Sequence, residues 1–232
     1  MADILLEELN QNMGERGAMR FNNVYFINGT AYAGKSTMIK LLAEKYDGIA
    51  CDENYHDRLL PQLTKEEYPC LTYTRDLTDW HDFIRRTPEE YEKWFDGVSR
   101  ECEKLELKIL EEINLQNKPI FVDTNISIET LKNIVEYNHV LIMLADPQTS
   151  VRRFFERPDK EKQFLYQLIM DEPDPEYAMN NYRKGLERIN SKERYDRFLN
   201  SGFRVILRDK NRSIEQTLAL AENSFGLAGS RG

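Results

Sequence analysis

Residues Gly29-Thr30-Ala31-Tyr32-Ala33-Gly34-Lys35-Ser36, followed by Thr37, are the part of this chain whose types and spacing speak most directly of chemistry. They read G-x-x-x-x-G-K-S, the pattern of a loop that wraps phosphate. Gly29 and Gly34 allow backbone conformations closed to other residues and let the main chain approach an anion closely. Successive N–H groups then point inward at a helix N-terminus and form an anion nest. Gly29, Ala31, Ala33, Gly34, Lys35, Ser36 and Thr37 are the candidate nucleotide ligands. Lys35 supplies a positive charge for the outer phosphates, and the Ser36 hydroxyl can ligate Mg²⁺. The competing reading is a glycine-rich turn that arose by chance.

The flanking segments argue against chance. Val24-Tyr25-Phe26-Ile27-Asn28 is a short β-branched and aromatic run that reads as a buried strand. Met38 to Lys45 reads as the start of an amphipathic helix. Further strands are expected at 48–53, 119–123, 139–145 and 203–207, and helices at 89–116, 127–136, 149–155, 160–170, 176–198 and 213–223. Residues 54–87 look irregular, with Pro61, Pro69 and many aromatic side chains. Five apolar strands alternating with helices predict an α/β chain with a parallel sheet covered on both faces. Residues 1–21 form a polar segment before the domain at 22–225, and the tail 226–232 is small, polar and expected to fray.

In such a sheet the carboxyl ends of neighbouring strands face one crevice. Asp123, closing the third strand, is therefore a candidate Mg²⁺ ligand beside Ser36; the plainer alternative is a capping role. Asp52 and Glu53 close the second strand. Successive strand residues point to opposite sides, so one of them at most can take a proton from a substrate hydroxyl. Asp52, closer to the strand, is favoured, against the alternative of two solvated carboxylates. Asp57-Arg58 are a weaker substrate-binding pair.

Net charge is −8, with 41% hydrophobic and 31% charged residues. The acidity argues against a dedicated nucleic-acid binder without excluding a local basic groove. No apolar run approaches the length of a membrane span. The acidic N-terminus lacks a signal-peptide layout. Cys51, Cys70 and Cys102 are unevenly spaced, as expected of reduced thiols in a cytoplasmic protein. They form no zinc pattern with His56, His81 and His139.

On three places the chain resembles the P-loop small-molecule kinases, among them nucleoside and nucleotide kinases and shikimate kinase. These are the loop at 29–37, the acidic strand end Asp52-Glu53, and Arg152-Arg153-Phe154-Phe155-Glu156-Arg157-Pro158 after the fourth strand. The resemblance implies a three-layer P-loop NTPase fold over about 22–224, with a helical acceptor-binding insert at 54–117 and a lid at 148–175. It implies ATP and Mg²⁺ and a small-molecule phosphate acceptor, and it leaves a homodimer open. It makes Lys35, Asp52, Arg153 and Arg157 the catalytic set, the arginines coming from the lid to the transferring phosphate. The plainer alternative for Arg152, Arg153 and Arg157 is a solvated helix face paired with Glu156, Asp159 and Glu161. The chain departs from deoxynucleoside kinases, since Asp123-Thr124-Asn125 stands where Asp-Arg-Ser or Glu-Arg-Ser is expected, and Arg208-Asp209-Lys210-Asn211 is not a guanine motif.

Within the insert, Tyr73, Trp80, Phe83, Tyr91, Trp94 and Phe95 alternate with Arg75, Arg85 and Arg86. They fit an acceptor site or an ordinary helix–helix core equally well. The expected activity is ATP-dependent transfer of the γ-phosphate to a hydroxyl or phosphate of a small metabolite, nucleoside or nucleotide. The alternatives are a polynucleotide 5′-hydroxyl kinase, which needs a basic channel, and a non-catalytic nucleotide-regulated switch, which could dispense with Asp52, Arg153 and Arg157.

Overall fold

A computed structural model describes residues 21–114, 117–156 and 159–228. Most of the polar segment at 1–21, Arg157 and the end of the tail lie outside those residues. Five strands form one sheet: β1 (Val24–Gly29), β2 (Ile49–Cys51), β3 (Ile120–Asp123), β4 (Val140–Leu144) and β5 (Arg204–Leu207). Their spatial order is β2-β3-β1-β4-β5 and every pairing is parallel. All of β3 and β4 is buried, which is why these strands read as unbroken apolar runs rather than alternating ones. β5 lies at the edge and buries Ile206 alone.

Alternation along β1 divides the core. Phe26 and Val24 face a cluster with Leu110, Leu131, Ile134 and Phe203, whereas Ile27 faces Met38, Ile39, Leu42, Ala221 and Phe225. Helices α1 (Lys35–Lys45) and α10 (Ile214–Phe225) therefore cover one face. Helices α4 (Pro88–Ile113), α5 (Ile128–Ile134) and α9 (Lys192–Leu199) cover the other. The chain leaving β1 turns to the α1 face and the chain leaving its neighbour β3 turns to the α5 face. Opposite turns of adjacent strands open a crevice at their carboxyl ends.

Between β2 and α4 lie a 3₁₀ helix (Tyr55–Gln62) and two short helices, α2 (Leu71–Arg75) and α3 (His81–Ile84). After β4 come α6 (Pro147–Arg153), α7 (Lys160–Met170) and α8 (Pro175–Ile189). These two stretches share a third core cluster: Phe83 and Ile84 meet Val151, Ile169, Tyr182 and Leu186. Most of the aromatic residues of the insert belong to this core.

The helix starts are chemically marked. Thr87 and Glu90 form a reciprocal capping box with Pro88 in the first turn of α4, and Ser213 and Gln216 do the same for α10. The expected single helix at 176–198 is two. It stops at Asn190, and Ser191 accepts from the Arg194 N–H to start α9.

Candidate functional site

The glycine-rich loop leaves β1 under close constraint from β4. Gly29 has φ +132°, and a Cβ there would lie 2.0 Å from the Met143 carbonyl oxygen. Only a residue without a side chain fits. Thr30 pins the loop: its N–H donates to Met143 O at 3.1 Å, and its hydroxyl accepts from the Ala145 N–H at 2.7 Å. Gly34, at φ +94°, stands at the N-cap of α1, where no side chain caps the first-turn amides and no acidic residue follows. The positive end of α1 thus opens on this loop.

Three of the expected site residues meet here. The Ser36 hydroxyl donates to Asp123 Oδ2 at 2.8 Å, and Lys35 Nζ stands 3.6 Å from Asp123 Oδ1 and 3.3 Å from Thr30 O. Asp123 is 3% exposed. Burial raises its pKa, and the Lys35 charge and the Ser36 hydrogen bond work against that rise. Glu53 raises it further, so this exposed carboxylate lies within electrostatic range of Asp123. Asp52, the favoured proton acceptor, pairs with Lys40 of α1 at 3.1 Å.

The arginines of the Pro147–Met170 stretch follow the plainer alternative in part. Arg152 pairs with Asp146 at 3.2 Å, and Arg153 Nε donates to Glu156 at 2.8 Å. Arg153 still borders the loop. The Tyr32 hydroxyl donates to its carbonyl at 2.7 Å, and its guanidinium lies 5.9 Å from the centre of the Tyr32 ring. Tyr32 has φ +62°, and its own carbonyl accepts from Arg208 of the turn after β5.

Sequence reasoning also missed a buried polar cluster against the end of β3. Glu106, with no solvent exposure, accepts from the Thr124 hydroxyl at 2.6 Å, the Asn125 N–H at 3.0 Å and the Asn125 side-chain amide at 2.8 Å. It thereby fixes the turn that follows Asp123. Burial is the largest influence on its pKa and carries it to about 7, against those hydrogen bonds. His56 Nδ1 lies 3.6 Å from Glu106, and His56 Nε2 lies 3.2 Å from Cys102 Sγ. This Cys–His–carboxylate order has the form of an activated nucleophile, but all three are buried and burial pushes the thiol up to about 12. Cys102 is a protonated core thiol. The available signal was Glu106 itself, a carboxylate on the apolar stripe of Cys102, Leu105, Ile109 and Leu110.

No protein-family model matches this chain, and no curated protein matches it either. Among the described residues no three His, Cys, Asp or Glu side chains gather to hold a metal ion, and no helix is long and apolar enough to cross a membrane. Ser36 and Asp123 offer two adjacent oxygens, which suits Mg²⁺ completed by phosphate and water. It does not suit a metal that needs a full protein cage.

Proposed function

We propose that this protein is an ATP-dependent phosphotransferase acting on a small molecule. The observation that carries the reading is the meeting of Lys35, Ser36 and Asp123 at the uncapped start of α1, beneath a loop that tolerates no side chain at Gly29. In this reading the loop amides and Lys35 take the β- and γ-phosphates. Ser36 and Asp123 would hold Mg²⁺, which when bound would neutralise phosphate charge.

The acceptor oxygen attacks the γ-phosphorus in line, and the bond to the β–γ bridging oxygen breaks. ADP leaves with the electron pair. For a hydroxyl acceptor the proton passes to a carboxylate at the end of β2. Glu53 is preferred to Asp52 for this, because Asp52 is already paired with Lys40. Arg153 would release Glu156 to reach the transferring group, with Arg157 beside it in sequence.

The test is ADP release in the presence of Mg²⁺ and an acceptor. Lys35→Ala should abolish it with the fold intact by circular dichroism. Glu53→Gln should lower kcat by about a hundredfold or more with little change in KM for ATP. Undiminished turnover in Lys35→Ala would rule out the loop as the phosphate site.

A further inference from the structure

Ahead of α4 the insert carries Arg58, Arg75, Arg85 and Arg86, and the surroundings of the last three differ sharply. Arg75 bonds Asp76 at 2.6 Å and 2.9 Å and holds the carbonyls of Leu60 and Leu63. Arg85 pairs with Glu172 at 3.1 Å. Both are consumed by structure. Arg86 has no ion pair among the described residues. Its guanidinium carbon lies 3.9 Å from the centre of the Tyr73 ring, 5.1 Å from Phe83 and 5.4 Å from Trp94. Its Nη1 is buried and meets no hydrogen-bond partner.

A second guanidinium approaches the same place. Arg100, exposed on α4, also has no ion pair among the described residues. A Cβ built on Gly97 would lie 2.2 Å from Cys70 Sγ and 3.9 Å from Arg100 Nη2, so sulfur and guanidinium close on one point. Trp94, which borders Arg86, donates from its indole N–H to the Cys70 carbonyl at 3.0 Å. Burial and then Glu101 raise the Cys70 thiol, while Arg100 and Arg86 both pull it down, so both charges reach that sulfur. Glu101, the neighbouring carboxylate, is already committed to the Cys70 and Leu71 N–H groups at 3.0 Å and 2.8 Å.

Aromatic faces hold a guanidinium by its plane and leave its donor edge to be satisfied from outside the rings. A buried donor edge without an acceptor is costly. A planar or tetrahedral oxyanion removes that cost through paired charge-assisted hydrogen bonds.

We propose that Arg86, seated on Tyr73, Phe83 and Trp94 and flanked by Arg100, binds a phosphomonoester or carboxylate group carried by a small molecule. On the phosphotransferase reading that molecule is the acceptor, which is then an anionic metabolite; the anion site itself does not depend on that reading.

Trp94 is a built-in probe. The chain has two tryptophans, so Trp80→Phe leaves it alone, and adding Lys35→Ala removes competing phosphate binding at the loop. Titration of this parent with inorganic phosphate, and separately with succinate, at constant ionic strength should give a saturable fluorescence change. Arg86→Gln should weaken it at least tenfold with unchanged circular dichroism. Should that variant not fold, Arg100→Gln, at an exposed position, should weaken it severalfold. No saturable change with either anion, or unchanged affinity in the arginine variant that folds, overturns the site. Acceptor-stimulated ADP release by the unmodified protein without anion binding would discard the site and leave phosphotransfer standing. Anion binding with no stimulated release would keep the site and discard the acceptor assignment.

Discussion

Glu106 holds its place through three donors from Thr124 and Asn125, yet burial outweighs them and favours its protonated form. The folded state therefore binds this proton more tightly than the unfolded chain does. The stability it contributes is complete below the ordinary value of 4.5 and is lost as pH rises to about 7. His56, whose pKa burial lowers, acts in the opposite sense around its own ordinary value of 6.5. Comparing the protein with Glu106→Gln isolates the first effect: the difference in unfolding free energy should shift in favour of the variant between pH 5 and 7. A difference independent of pH would mean that Glu106 is ionised throughout. At this scale the sequence was legible where residue type is dictated by backbone or charge, as at Gly29, Lys35 and Ser36. It was silent on Lys40, whose pairing with Asp52 depends on how α1 lies against β2. The bond from Arg208 to Tyr32, across 176 residues, was equally invisible.

Secondary-structure elements were legible where periodicity and caps agree. The five strands fall within a residue or two of their expected bounds, because buried parallel strands are short apolar runs with sharp polar ends. The division of α8 from α9 was not seen, because Asn190-Ser191 carries neither proline nor glycine, and the capping hydroxyl is an ordinary serine in a polar stretch. The arginines there cross to α4. Arg188 reaches Glu89 and Glu92, and Arg194 reaches Glu92 and Asp96. The break positions Arg194 for that bridge. Ser191→Ala should therefore cost about 1 kcal/mol from the lost cap. The cost would appear as a lower urea midpoint with an unchanged slope. An unchanged midpoint would show that α9 is held by its packing on the sheet alone.

The whole molecule has two sheet faces and one extra core. Strand order was beyond the sequence, since an apolar run does not say which strand lies beside it. That order is what sets Asp123 beside Ser36 and Lys35. The partner of the insert was also beyond the sequence: Trp80 meets Phe164 and Tyr91 meets Tyr182, tying the insert to the Pro147–Ile189 stretch. Aromatic spacing alone fitted core and ligand site equally, and three-dimensional packing assigns most of these rings to core, with Arg86 left among them. All of this turns on whether the loop and Asp123 hold a magnesium nucleotide. The most direct measurement is calorimetric titration with ATP, with and without Mg²⁺, of the protein, Lys35→Ala and Asp123→Asn. The expected result is saturable binding, weakened about a hundredfold or more by Lys35→Ala, or about 2.7 kcal/mol, and a Mg²⁺ enhancement that Asp123→Asn removes. Equal affinity in all three proteins would contradict a phosphate site at this loop.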